Sequence, residues 1–448
     1  MIFVVKLRSL IIFLLAVLPF MNANAALTIE ITEGVEGALP IAVVPFDWEG
    51  PGVPPEEDIT GVIAADLKRS GRFAPLPKDD LLAHPHKKED VNFQNWRILG
   101  VDNLLIGTMR GTRAGGYEIR FQLFDIFKAK QLADYSIPAS AAELRFVAHQ
   151  ISDIVYETLT GEPGAFNTRI AYITHLKSNG KETYKLWIAD ADGHNPQNIF
   201  QSSHILMSPA WSSDGRQLAY VSYETGPRAG KSEVYVQDIA TAKRELIAAY
   251  PGYNGAPAWS PDGKRLALTL SKIKLSDRTN YDIYIYDMRN KSLKRLTTNW
   301  ADDTEPTWSP DGKYVVFTSD RSGVGKPQLY RVALDGGRPE RLTFDGQYNA
   351  RAEYSPDGKS LVFVHVQDKK YRIALLELES GNIQTLTDGD LDESPSFAPN
   401  GSMIIYATNY HNRGVLSAVS VDGRFKQRIP SDEGDVREPA WSPFLQKR

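Results

Sequence analysis

The stretch Trp308-Ser309-Pro310-Asp311-Gly312-Lys313 returns along the C-terminal part of the chain, and no other feature restricts the fold as much. Trp211-Ser212-Ser213-Asp214-Gly215-Arg216 and Trp259-Ser260-Pro261-Asp262-Gly263-Lys264 are earlier copies. Tyr354-Ser355-Pro356-Asp357-Gly358-Lys359 and Phe397-Ala398-Pro399-Asn400-Gly401-Ser402 are later, altered copies, and Trp441-Ser442-Pro443 is a last, shortened one. Successive aromatics lie 48, 49, 46, 43 and 44 residues apart. A period of about 40–50 residues marks stacked supersecondary units, either a solenoid or a propeller.

Pro sets φ for the second position of a turn, Asp bonds its own backbone, and Gly accepts positive φ. Ser-Pro-Asp-Gly therefore reads as a hairpin turn between an aromatic-ended strand and a short apolar one such as Tyr314-Val315-Val316-Phe317-Thr318. A third segment follows in each unit (Asp282 to Tyr286, Glu233 to Gln237, Gln328 to Val332). A fourth, more polar one comes after it (Leu293 to Thr297, Pro339 to Thr343). Four strands per unit make a propeller blade.

Six second strands begin near Ile170, Gln217, Arg265, Tyr314, Ser360 and Met403, and six first strands end at Trp211, Trp259, Trp308, Tyr354, Phe397 and Trp441. The first unit lacks its inner strand and the last has nothing else. Placing Glu438–Ser442 beside Ile170–His175 completes one blade and hides both edges. The expected architecture is an N-terminal α/β domain followed by a six-bladed β-propeller closed by the C-terminal strand. The six repeated aromatics are expected to be repeat core rather than ligand contacts.

Ahead of the repeats, residues 1–25 read as a signal peptide: Lys6 and Arg8, an apolar run from Leu10 to Phe20, then Ala23-Asn24-Ala25. The apolar run is short for a membrane span. Leu27-Thr28-Ile29-Glu30-Ile31-Thr32-Glu33 alternates apolar and polar residues and stops at Gly34. Two readings stand for this 26–34 segment: an edge strand of the first domain, or a strand offered to a partner's sheet. Residues 35–161 read as a small α/β domain with a helix through Ile59, Val62, Ile63 and Leu67, and a longer amphipathic helix from Ala141 to Leu159. Residues 162–168 read as a linker, with the propeller over 169–448.

A formal charge of −4 gives no electrostatic footprint for nucleic acid. The absence of Cys excludes disulfides, thiolate metal sites and cysteine catalysis. Gly-x-Ser-x-Gly, which a hydrolase domain behind such a propeller would need, does not occur. Gly226-Pro227-Arg228-Ala229-Gly230-Lys231-Ser232 is one residue short of a phosphate loop and runs into a strand. Asp388-Gly389-Asp390 and Asp302-Asp303 read as solvated turns rather than Ca²⁺ ligands. No cofactor, metal or catalytic residue is expected. The remaining enzymatic alternative is an exported propeller enzyme with acid/base residues converging in its channel.

Several stretches go beyond what a generic propeller needs: Asn254-Gly255-Ala256-Pro257-Ala258, Thr304-Glu305-Pro306-Thr307-Trp308, Leu391-Asp392-Glu393-Ser394-Pro395-Ser396, Asp422-Gly423-Arg424-Phe425-Lys426 and Pro439-Ala440-Trp441-Ser442-Pro443. With Pro40 to Phe46 and Glu57-Asp58-Ile59 in the first domain, they make the chain resemble the TolB family, the periplasmic component of the Tol–Pal system. The resemblance spans nearly all of the chain after residue 25. It implies a periplasmic binding protein that takes the lipoprotein Pal on one propeller face and TolA through its N-terminal segment. It also implies support of outer-membrane integrity and of invagination at division, exploitation by imported bacteriocins, and membrane contact only through partners. Carried onto this chain, the Pal face is Met207, Ser208, Tyr253, Asn254, Thr304, Glu305, Ala350, Arg351, Glu393, Ser394, Arg437 and Glu438, and the TolA segment is Leu27, Thr28, Ile29, Glu30, Ile31, Thr32 and Glu33. Tyr253 stands where the family often has His. Each pair of the Pal set just precedes a buried aromatic strand, which places it at the mouth of an axial opening; bonding between blades is the alternative role.

Overall fold

The computed structural model describes residues 27, 29–34, 36–51, 53–113, 115–223, 231–271, 274–275, 278–323, 325–429, 431 and 434–445. The signal-peptide reading of residues 1–25, Thr28 and the loop residues 226–230 lie outside that set.

The N-terminal domain is built on one sheet in the order Phe73–Pro75, Leu39–Val43, Asn103–Gly111, Tyr117–Asp125, Lys130–Ala139. The first three strands run parallel and the rest are antiparallel. Helix α1 (Ile59–Arg69) starts where the Asp58 side chain accepts the Gly61 N–H at 2.9 Å. Helix α2 (Phe93–Ile98) is capped by Asn92 in the same manner. Helix α3 (Leu144–Thr160) follows a capping box between Ser140 and Glu143 and ends at Gly161, whose φ is 79°. Ile59, Ile63 and Leu67 of α1 and Val147, Ile151 and Val155 of α3 share one core with Ile41, Phe121 and Leu123 of the sheet. Trp96 of α2 belongs to a second core with Leu104, Ile106 and Phe124 on the other face.

The propeller has six blades. Blade one combines Arg169–Ser178, Lys181–Asp190 and Gln197–Ser202 with the C-terminal strand Asp435–Trp441. Blades two to six start with the inner strands Leu206–Trp211, Asn254–Trp259, Asp303–Trp308, Tyr348–Tyr354 and Glu393–Phe397. Trp441 pairs with Ile170 and Asp435 with His175, so the ring closes by complementing the first unit with the last strand.

The repeated turn works as its residues dictate. Ser309 Oγ donates to Asp311 Oδ1 at 2.6 Å and accepts the Tyr314 N–H at 3.0 Å, while Asp311 Oδ1 also accepts the Lys313 N–H at 3.0 Å. Gly312 closes the turn at φ 69°. Of the aromatics of the motif, Trp211, Trp308, Tyr354 and Phe397 are buried core, Trp259 and Trp441 are partly buried, the four tryptophans also line the axial opening, and some tie blades together. Trp211 Nε1 donates to the Ala440 carbonyl and Trp308 Nε1 to the Ala258 carbonyl, each at 3.0 Å and each in the preceding blade. Blade six has Phe397, which carries no N–H on its ring. Here the Glu353 carboxylate of blade five takes the Phe397 main-chain N–H at 2.8 Å, and Ser396 Oγ takes the Trp441 N–H at 3.0 Å.

The N-terminal strand is not an edge of the first domain. Glu30–Glu33 pairs antiparallel with Lys426–Ile429 as the fifth strand of blade six. Side chains account for the choice: Leu27 is buried beside Trp187, Leu416 and Ile429, and Glu30 and Glu33 face Arg428 and Lys426 at 3.3 and 3.2 Å. Leu27 also lies against Gly193, where an added Cβ would fall 2.5 Å from the leucine Cβ. The two domains meet at Gly71, which is pressed against Phe425, at the Asn400–Pro163 bond, and at an ion-pair cluster between α1, α3 and the Asp190–Asn195 turn of blade one.

Deleting Glu438–Arg448 removes most of the closing strand and Trp441 together, so main-chain bonds and aromatic burial are lost at once. The expected result is a large fall in melting temperature with aggregation; a truncated protein that melts like the full one would show that closure does not hold the ring. Glu353 predicts a pH effect. Burial raises its pKa from 4.5 to about 7, against the bonds from Phe397 and Ser396. Its contribution is therefore fully present below pH 4.5 and is lost as pH rises through about 7. Glu353→Gln should flatten that part of the stability–pH curve, by on the order of 1–3 kcal/mol, in denaturant titrations at acid and neutral pH.

Candidate functional site

Each inner strand carries a bulge at one equivalent place. Its ladder slips between Met207 and Ala210, Gly255 and Ala258, Thr304 and Thr307, Ala350 and Glu353, Glu393 and Ser396, and Arg437 and Ala440. One residue per bulge is left-handed: Ser208, Ala256, Glu305, Arg351, Ser394 and Glu438, with φ between 45° and 60°. Such a conformation costs on the order of 1–3 kcal/mol in a non-glycine residue, so six copies at one level of a ring are a built feature. In five of the six the next residue is proline, which has no N–H to leave unpaired at the slip. A bulge re-aims a side chain, and here it turns these six towards the axis.

Together they line an axial cavity of about 420 Å³. Arg351 of blade five reaches across it. Its Nη1 donates to Glu438 Oε1 of blade one at 3.1 Å, its Nη2 bonds Glu438 Oε2, and its Nε stands 3.9 Å from Glu305 Oε1 of blade four. Burial opposes the guanidinium charge, but Glu438 and then Glu305 outweigh it and hold the Arg351 pKa above its ordinary value. Glu305 Oε2 also accepts Thr318 Oγ1 at 3.0 Å. The main chain at this level ties the blades: the Glu305 N–H donates to Thr269 Oγ1 and the Arg351 N–H to Thr318 Oγ1, both in the preceding blade.

Of the twelve residues expected on this face, the cavity brings together Met207, Ser208, Tyr253, Glu305, Arg351, Ser394 and Glu438. Thr304 is half-buried in its ladder opposite Thr318, and Ala350 is buried opposite Val364. Glu393 and Arg437 sit together beside Thr408 and Gly414, outside the axial cavity. Asn254 is fully buried and structural: its side chain accepts the Tyr250 N–H and donates to the carbonyls of Ser232 and Tyr250. In blade three the equivalent of Ser208 is Ala256, two residues later. Tyr253 reaches the cavity from the strand's entrance, with its pKa pushed well up by burial. The sequence reading also passed over Glu353, which lines the cavity where the other blades have Ala210, Ala258, Thr307, Ser396 and Ala440. The overlooked signal was the proline two places before the aromatic, which marks the bulge and aligns all the blades but the fifth.

Around the mouth, the connections leading into the inner strands expose Ile205, Trp300, Phe344 and Leu391. Among the described residues, no helix is long and apolar enough to cross a membrane.

Comparison with known proteins follows the two parts of the chain. Residues 27–132 match the family model for the TolB amino-terminal domain, and residues 156–445 match that for the TolB beta propeller domain. The Tol-Pal system protein TolB of Thioalkalivibrio sulfidiphilus is 51% identical over 440 residues, 98% of each chain. That of Xylella fastidiosa is 45% identical over 438 residues, 97% of each chain. The crystal structure of TolB from Acinetobacter baumannii is 39% identical, covers 93% of this chain and all of its own, and superposes with a TM-score of 0.84. Both domains, their order and their full-length relatives agree, and the chain belongs to the TolB family of the Tol-Pal system.

Proposed function

We propose that this protein is a periplasmic adaptor that binds the lipoprotein Pal over the mouth of the propeller channel and TolA through its N-terminal segment. In this role it supports outer-membrane integrity and invagination during division, and imported bacteriocins exploit it. The observation that carries the reading is the ring of re-aimed side chains at the mouth. A charged centre of Glu305, Arg351 and Glu438 lies near the entrances of the inner strands, and the connections leading into four of those strands expose the apolar side chains Ile205, Trp300, Phe344 and Leu391. A polar centre held on rigid strands fixes orientation at little ordering cost, and an apolar rim supplies area to be buried by a protein partner.

An enzymatic reading draws on the carboxylates in the channel. Two of them are held by Arg351 and the third by the main chain of blade six, so they are engaged in the fold rather than poised on a substrate.

The N-terminal segment supports the second half of the proposal by its place as an added fifth strand on the outer edge of blade six. Its register with blade six has three residue pairs, its ion pairs set exposed glutamates on half-buried cations, each worth about 0–1 kcal/mol, and Leu27 is its buried anchor. A partner's sheet edge can compete for a strand held in this way.

Glu305→Lys puts a second cation beside Arg351 and in front of the partner. Pal binding is expected to weaken by about 2–5 kcal/mol if the contact is buried. Calorimetric affinity and melting temperature on the same variant separate binding from fold: unchanged affinity in the folded protein would remove Glu305 from the site. Removing Leu27–Glu33 leaves four strands in blade six, so both domains should stay folded, with TolA binding lost and Pal binding kept. Undiminished TolA binding by that deletion would refute the assignment.

A further inference from the structure

The junction between the domains holds one histidine between two carboxylates, one from each side. His149 of α3 is 3% exposed. Its Nδ1 lies 2.7 Å from Asp66 Oδ2 of α1, and its Nε2 lies 3.6 Å from Asp192 Oδ2 in the Asp190–Asn195 turn of blade one. A neutral imidazole has one N–H and one lone pair, so it leaves a lone pair facing one carboxylate. Only the imidazolium presents an N–H to both.

Every neighbouring element contributes charge. From α1, Arg69 Nε bonds Asp66 Oδ1 at 3.0 Å and Arg69 Nη1 reaches the Ala191 carbonyl at 3.4 Å. From α3, Arg145 bonds Asp192 and, at 3.1 Å, Glu57, and Asp153 accepts the Phe166 and Asn167 N–H groups of the linker. From the propeller turn, Asp190 stands beside Asp192 and is held by Asn195. With both guanidinium groups already on the carboxylates, the imidazole proton is the variable that acts directly between Asp66 and Asp192; beside it, burial raises the Asp153 pKa to about 6 and also raises that of Asp190.

We propose that His149 is a pH-sensitive pin of the interdomain junction: protonated, it links α1 and α3 to blade one, and on losing its proton it lets the two domains loosen. The electrostatics agree in sign. Burial by itself lowers the His149 pKa, but the charge and hydrogen bond of Asp66, with the charge of Asp192, outweigh burial and the opposing Arg69 and raise it above 6.5. The link is thus complete below pH 6.5 and is lost as pH rises through the higher folded value.

The chain has no Cys, so two introduced ones carry the only spin labels. Lys88→Cys in the N-terminal domain and Lys243→Cys in blade two, both exposed, give an interdomain distance by electron–electron double resonance. A narrow distribution at pH 5.5 that broadens by pH 8.5 is expected. His149→Gln should remove the pH dependence, and Asp192→Asn should give the broad distribution already at pH 5.5. In the unsubstituted protein, the imidazole should titrate above 6.5 by NMR, a readout that does not depend on any variant folding. A distribution that does not change with pH, a change that persists in His149→Gln, or a His149 pKa at or below 6.5 would each overturn the proposal.

Discussion

Pairing of the last strand with the first complete one, Trp441 against Ile170 through Asp435 against His175, is the contact on which the propeller depends. A ring of blades has no natural end, and without this pairing blade one would expose both a bare ladder and the core beneath it. The same contact positions much else. Arg169 donates its main-chain N–H to Ser442 Oγ at 2.9 Å, and the Trp441 indole donates to Thr168 Oγ1 at 2.8 Å. The linker that carries the N-terminal domain is thereby clamped at the seam. Closure also brings Glu438 to the axis, where it meets Arg351. The central ion pair of the candidate site therefore exists only in the closed ring.

A second consequence lies on the outside of the seam. The Asp190–Asn195 turn of blade one touches the N-terminal domain through Asp192 and the N-terminal segment through Gly193. Adjacent residues of one turn thus receive two separate parts of the chain. Gly193 has a φ of 85°, a conformation that side chains avoid, and Leu27 occupies the place a side chain would take. The turn is shaped by local bonds, Gly193 N–H to the Asp190 carbonyl at 2.8 Å and His194 N–H to Asp192 Oδ1 at 3.0 Å, so both contacts rest on a rigid base.

The blades, their number and their closure were legible in the sequence because each rests on a local, repeated signal. Ser-Pro-Asp-Gly specifies a turn by its own bonds, and six aromatic strand ends, five of them followed by that turn or an altered copy of it, count six blades. Most of the mouth was legible for the same reason, since Ser208, Glu305, Arg351, Ser394 and Glu438 hold one place relative to their aromatics. Blade three was misaligned by two residues because Tyr253-Asn254 looked like a mouth pair, while the bulge falls at Ala256, whose small side chain offers no chemical hint. The seat of the N-terminal strand was not legible: it needs Glu30 opposite Arg428, and nothing local selects a partner so far along the chain. The His149 cluster was hidden likewise, since Asp66, His149 and Asp192 become neighbours only after both domains have folded and docked.

Blade five shows how the repeat tolerates exceptions. It has Ala352 where the other inner strands have proline, Glu353 where they have small residues, and Tyr354 where most have tryptophan. Its bulge nevertheless persists, with Arg351 at φ 60°. The conformation is therefore imposed by the ring and not by the proline, and the Arg351 N–H bond to Thr318 of blade four is one of the contacts that impose it. The exception also has an electrostatic logic. Arg351 places the cation of this cavity between two carboxylates, and two residues later Glu353 replaces the indole link that Phe397 cannot make. A carboxylate is a poorer structural tie than an indole, since burial pushes its pKa to about 7 and taxes its charged form. What it adds is a group on the cavity wall whose charge changes near neutral pH, at a level of the channel where the other five blades have none.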